Sequence, residues 1–159
     1  MISTAKVVSR ALECGLLVKG AIAHGTLTAD LKNSIVFGKP LIDAYLLQEE
    51  IKLASVILHH SFEQKILSFD HGVRLDGSGR CQRYLTPIER GFVTHMHLNW
   101  LQYSVLFLAK SDQEKLELVD KYIGILKGVH LTVSGGSRMY IDNTMKYLEE
   151  CRRVAAAER

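Results

Sequence analysis

The run from Leu16 to Ile51 constrains this chain more than any other stretch: LLVKGAIAHGTLTAD is followed, after a short turn, by SIVFGKPLIDAYLLQEEI. Its first part, Leu16 to Ala29, has the near-continuous apolar content of a strand buried on both faces, with Gly20 or Gly25 as points where it can bend. Asp30 to Ser34 supplies turn-forming residues, and Ile35 to Phe37 reads as the returning strand. Gly38-Lys39-Pro40 then leads into a helix, because proline suits a first turn and Leu41, Ala44, Tyr45, Gln48 and Ile51 repeat at helical spacing. Strands and helices alternating in this way have to bury their apolar sides on one another.

The remaining chain extends that pattern. Ser3 can cap a short helix with Val7, Val8, Ala11 and Leu12 on one side and Gly15 as its stop signal. Ala54 to Leu58 reads as a strand, and Ser61 as the cap of a helical run through Leu67. A loop carrying Asp70, Gly72, Asp76, Gly77 and Gly79 leads to two strands, Arg80 to Leu85 and Phe92 to Trp100, paired antiparallel around Thr86-Pro87 and Gly91. From about residue 112 the chain is helical: Asp112 to Leu126 lines up Leu116, Val119, Tyr122, Ile123 and Leu126. Ser137 to Arg153 lines up Met139, Ile141, Met145, Leu148 and Cys151. The expected fold is an α+β sandwich, one domain over 1–159, with helices packed on an antiparallel or mixed sheet.

Composition narrows the function classes. At 159 residues, 47% hydrophobic and 23% charged, the chain can bury a substantial core. A net charge of +3, with basic residues interleaved among acids, argues against a nucleic-acid partner. Three cysteines, Cys14, Cys81 and Cys151, have no paired spacing and read as free thiols of a reducing compartment. The first residues lack the continuous apolar core of a signal peptide, and no window approaches the roughly 18 apolar residues of a membrane span. A cytoplasmic protein with no membrane partner is expected.

The segments VKGAIAHG and SIVFGKPLIDAYLLQEE resemble the "RGGI/RGAI…G" strand and the "W/F-G-x-x-V-N-x-A-x-R-x-E" strand, turn and helix of class III nucleotide cyclases. The chain is similar in particular to bacterial cyclase-like proteins with an RGAI…FG-K-x-L-x-x-A-Y-x-L-E pattern, some of which make cyclic pyrimidine nucleotides in antiphage defence. YLTPIERG, HLNW and RMYIDNTMKYLEE look like downstream parts of that group, so the resemblance extends discontinuously over most of the chain. It implies a ferredoxin-like core, here without its leading strands.

Such a cyclase turns a nucleoside triphosphate into a 3′,5′-cyclic nucleotide, using two Asp-held divalent metals to activate the ribose hydroxyl and clamp the phosphates. In the family both aspartates precede the matched region, so the resemblance implies an N-terminally truncated or divergent member. Mg²⁺ or Mn²⁺ is expected only if the domain is catalytically complete. Asp30, Asp43, Asp70 and Asp76 read as turn formers or solvated charges, and no metal ligand or catalytic residue is assigned.

Aligning Ala44 with the family's helix alanine puts Ile42 at the asparagine position and Leu46 at the arginine position. Ile35 falls near the base-reading position, with Ser34 beside it. Glu89 falls at or next to the phosphate-binding lysine, which leaves Arg90 as the nearest cation and Lys39 as a weaker one. The nucleotide-binding candidates are therefore Arg90, Lys39 and Ser34. Two functions follow: a nucleotide cyclase, or a non-catalytic cyclase-homology module for binding or dimerisation. A homodimer is expected in either case, because class III cyclases build their sites between two subunits.

Other signals read as structural. His59-His60, and His95 with His97 on one side of a strand, have no third ligand in register. Cys81 lacks a nearby base, Gly135-Gly136-Ser137 reads as loop and cap, and Tyr122, Tyr140 and Tyr147 as core or interface residues.

Overall fold

A computed structural model describes residues 2–69, 81–101 and 111–157. Its elements are α1 (Ile2–Glu13), β1 (Gly20–Ile22), β2 (Thr28–Asp30), β3 (Ile35–Phe37), α2 (Lys39–Glu50), β4 (Val56–Leu58), α3 (His60–Phe69), β5 (Cys81–Ile88), β6 (Gly91–Leu98), α4 (Asp112–His130) and α5 (Gly135–Ala157). Four strands form a mixed sheet in the order β1-β4-β6-β5, with β1 and β4 parallel and the other pairs antiparallel, while β2 and β3 make a separate hairpin. The α+β class expected from the sequence is the one observed. Among the described residues no helix is long and apolar enough to cross a membrane.

Helices α1, α4 and α5 share the main core, which includes Val8 and Leu12, Tyr122 and Leu126, Ile141 and Leu148, together with Leu53, Leu98 and Trp100. On one face of the sheet α5 lays Tyr147 against Tyr84 and His97, and Gln82 donates to Cys151 Sγ at 2.9 Å. A smaller cluster of Leu58, Cys81 and Met96 packs under Phe62 and Ile66 of α3. Helix α1 ends as expected at Gly15, whose φ of 73° suits glycine. Leu16 N–H reaches back to Ala11 O and Gly15 N–H to Leu12 O, both at 2.9 Å, closing the helix end.

The segment Glu50 to Ala54 crosses from α2 to β4 with Ile51 and Leu53 fully buried. A buried connection needs partners for its backbone, and here two neighbours supply them. Along β5, Lys52 N–H donates to Pro87 O at 2.9 Å and Glu89 N–H to Glu50 O at 3.1 Å. From α5, Tyr140 donates to Ile51 O at 3.0 Å, Asn143 to Lys52 O at 2.8 Å, and Thr144 Oγ1 accepts Ala54 N–H at 2.9 Å.

Several local expectations are corrected. Leu16 to Ala29 is two short strands in different sheets; β1 is half-buried at a sheet edge and β2 is exposed. Between them Gly25 and Gly38 allow a close crossing: a Cβ on Gly38, at φ 154°, would stand 2.7 Å from Thr26 O, and one on Gly25 would stand 3.2 Å from the Pro40 ring. Ser61 does not cap α3, because the His59 carbonyl takes the first N–H groups, from Phe62 at 2.9 Å and Glu63 at 3.1 Å. The Ser61 hydroxyl instead accepts His24 N–H at 3.0 Å. Pro87 lies within β5 rather than in the turn, which its place on an edge strand permits. Val7 and Met139 face solvent rather than the core. Asp70, Gly72, Asp76, Gly77, Gly79 and Arg80 lie outside the described residues.

Replacing Thr144 by Val strands the buried Ala54 N–H and is expected to cost about 1–3 kcal/mol in urea denaturation. Thr144→Ser keeps the acceptor and should cost markedly less.

Candidate functional site

The β2–β3 hairpin is built on its turn. Asp30 accepts backbone N–H groups from Lys32 at 3.1 Å and Asn33 at 3.3 Å, and the Asn33 amide at 2.7 Å. The bond from the Asn33 side chain, more than any other, holds the Asp30 carboxyl below its ordinary pKa. Ser34 closes the turn in the left-handed region at φ 55°. The register then pairs Thr28 with Phe37, Ala29 with Val36 and Asp30 with Ile35.

Successive strand side chains point to opposite faces, yet Ile35, Val36 and Phe37 are all exposed. The hairpin is thus uncovered on both sides. Helix α2, which follows directly, is exposed as well: Leu41 with Tyr45, and Ile42 with Leu46, form two i,i+4 pairs, each residue between 49% and 60% exposed. Only Pro40 of this helix is fully buried. Helical spacing alone predicts one packing stripe for α2, whereas its apolar residues wrap beyond the single face a core helix needs. That excess width was the signal of a second face.

The three nucleotide-binding candidates occupy three different places. Ser34 is at the hairpin turn. Lys39 opens α2, where its ammonium contacts both Asp43 carboxylate oxygens at 2.8 Å and lowers that carboxyl's pKa. Arg90 sits exposed in the β5–β6 turn, which the Glu89–Glu50 bond ties to the opposite end of α2. Lys39 and Glu50 are the two ends of this 12-residue helix, roughly 16 Å apart along the axis. Ile35, Ile42 and Leu46 are all on the exposed apolar surface.

The histidines divide by burial. His97 is fully buried between two hydroxyls, Ser55 Oγ at 2.8 Å from Nδ1 and Thr86 Oγ1 at 2.6 Å from Nε2. Since Thr86 donates its proton to Tyr84 O at 3.1 Å, its oxygen accepts from Nε2–H, and Nδ1 accepts from Ser55. This chain suits a neutral ring, and burial pushes the His97 pKa down to about 3. Burial likewise lowers His95, and burial with the neighbouring His60 lowers His59. Among the described residues no three His, Cys, Asp or Glu side chains group as a metal site. Among the described residues the cysteines form no disulfide, and burial raises the Cys151 thiol to about 11.

Comparison with protein-family models, with curated proteins and with solved structures finds no match for this chain.

The His97 environment fixes a pH dependence. Unfolded, the ring takes up a proton near its ordinary value of 6.5, while the folded protein resists protonation down to about 3. Its contribution to stability is therefore complete above pH 6.5 and is lost as pH falls toward 3, with a slope approaching about 1.4 kcal/mol per pH unit. Urea titrations at pH 7, 5 and 4 should show this decline, and it should be shallower in His97→Gln. NMR of the His97 ring should show no titration above pH 4.

Proposed function

We propose that this chain is a cytoplasmic class III nucleotide cyclase-like domain that works by association, pairing through the hairpin and α2 with the same face of a second copy. The observation that carries the reading is the exposure of seven apolar side chains within twelve residues of the hairpin and α2: Ile35, Val36, Phe37, Leu41, Ile42, Tyr45 and Leu46. Hydrocarbon at Ile35, Ile42 and Leu46 cannot hydrogen-bond a base or neutralise phosphate charge, as the matching positions of a cyclase would. It does gain roughly 25 cal/mol for each Å² that a partner covers. An exposed patch of this kind marks an interaction site.

The resemblance adds that class III cyclases act as domain pairs, and that the strand, hairpin, helix and strand from Gly20 to Leu58 belong to a ferredoxin-like core. In the alternative reading the domain cyclises a nucleoside triphosphate with Mg²⁺ or Mn²⁺, with Arg90, Lys39 and Ser34 contacting the nucleotide. The Lys39–Asp43 ion pair favours the first reading, since that lysine's charge is already partnered.

Sedimentation at micromolar concentration should give a dimer. The double substitution Ile42→Glu, Leu46→Glu places two charges in the interface and should weaken association at least about a hundredfold, while circular dichroism stays native. A monomeric wild-type protein overturns the proposal. Incubation with ATP, GTP, CTP and UTP plus Mn²⁺ should leave the nucleotides unchanged, and a cyclic product would establish the alternative.

A further inference from the structure

A pocket of about 290 Å³ opens between the start of β1 and the α4–α5 junction, with no hairpin or α2 residue in its lining. Leu17, Val129, Val133 and Ile141 give it apolar walls, and Lys19 and Tyr140 form its polar end. The Tyr140 O–H is committed to Ile51 O at 3.0 Å, so the phenol oxygen accepts from Lys19 Nζ at 3.3 Å. That bond occupies one of the three ammonium donors. Lys19 Nζ also lies 5.5 Å from the Tyr140 ring centre, with Lys52 Nζ at 6.0 Å from the same ring. Among the described residues no carboxylate pairs with Lys19, although it is half-buried.

We infer that this pocket binds a small apolar carboxylate, its acyl or aryl body against the aliphatic walls and its carboxylate on Lys19. A half-buried cation without a counter-ion is costly, and an incoming carboxylate supplies the missing charge in a charge-assisted bond. The volume, at the lower end for ligand pockets, selects a short body. A lysine is a point charge without the planar fork that suits phosphate dianions, so the monoanionic carboxylate is the better match. The fixed Tyr140 hydroxyl holds the ammonium at the rim of the apolar walls.

The test is an NMR titration of the ¹⁵N-labelled protein with sodium octanoate, and in parallel with octan-1-ol. Octanoate should produce saturable shifts at the Val129, Val133 and Ile141 amides, with octanol binding about tenfold more weakly. Lys19→Met keeps an apolar stem and should abolish that preference. Val133→Trp fills the pocket and should remove binding of both ligands. Equal affinity for the two ligands in the wild-type protein overturns the inference without any variant. So does an absence of saturable shifts, or shifts confined to Ile42 and Leu46 of the association face. Dimer formation plays no part in these readouts, so either proposal can fail alone.

Discussion

The backbone of Glu50 to Ala54 is the constraint on which the rest of the structure depends. Ile51, Leu53 and Ala54 of this segment lie in the interior, and β5 and α5 must both be in place to receive its amides and carbonyls. Because Tyr140, Asn143 and Thr144 lie on adjacent turns of α5, their bonds set the rotation and height of that helix. That setting brings Tyr147 over His97 and Tyr84, and it puts Tyr140 and Ile141 at the pocket. The β5 bonds bring the Glu89–Arg90 turn against the end of α2. The core, the pocket and the position of Arg90 thus share one origin.

Much of the element order was legible because it is written in local chemistry. Ile35 to Phe37 as a returning strand, Gly38-Lys39-Pro40 as a helix entry, Gly15 as a stop and the buried stripe of α4 each rest on residues within one or two turns of each other. Burial was less legible. An apolar run such as Leu16 to Ala29 has the same composition whether a sheet covers it or leaves it at an edge, and only tertiary packing decides. The polar residues that bind Ile51, Lys52 and Ala54 are about ninety positions away, beyond any local pattern. For the site, resemblance supplied the positions of Arg90, Lys39 and Ser34, but their separation follows from how α2 spans between two turns. The hydrocarbon at Ile35, Ile42 and Leu46 was visible in the sequence, whereas its exposure was not.

Two regimes of polarity divide the molecule. Inside, Ser55, His97, Thr86 and the Tyr84 carbonyl form a directed chain of neutral hydrogen bonds that tolerates one tautomer and one register of β5 on β6. Outside, the hairpin and α2 carry apolar side chains with little covering them. The first regime specifies the fold, and the second is surplus to it.

The crossing of Gly25 against Pro40 and Gly38 against Thr26 sets how rigidly that surplus surface is held. Gly25 leaves space for the Pro40 ring, and Gly38 for Thr26 O and Leu27, so the strand entering the hairpin packs closely on the start of α2 with little room to pivot. A second copy pairing as proposed would meet a shape already set, with little ordering entropy left to lose on contact. For such a pairing, encounter would be limited by diffusion and orientation, in the range of roughly 10⁵–10⁷ M⁻¹s⁻¹, and the lifetime of the complex would carry the specificity.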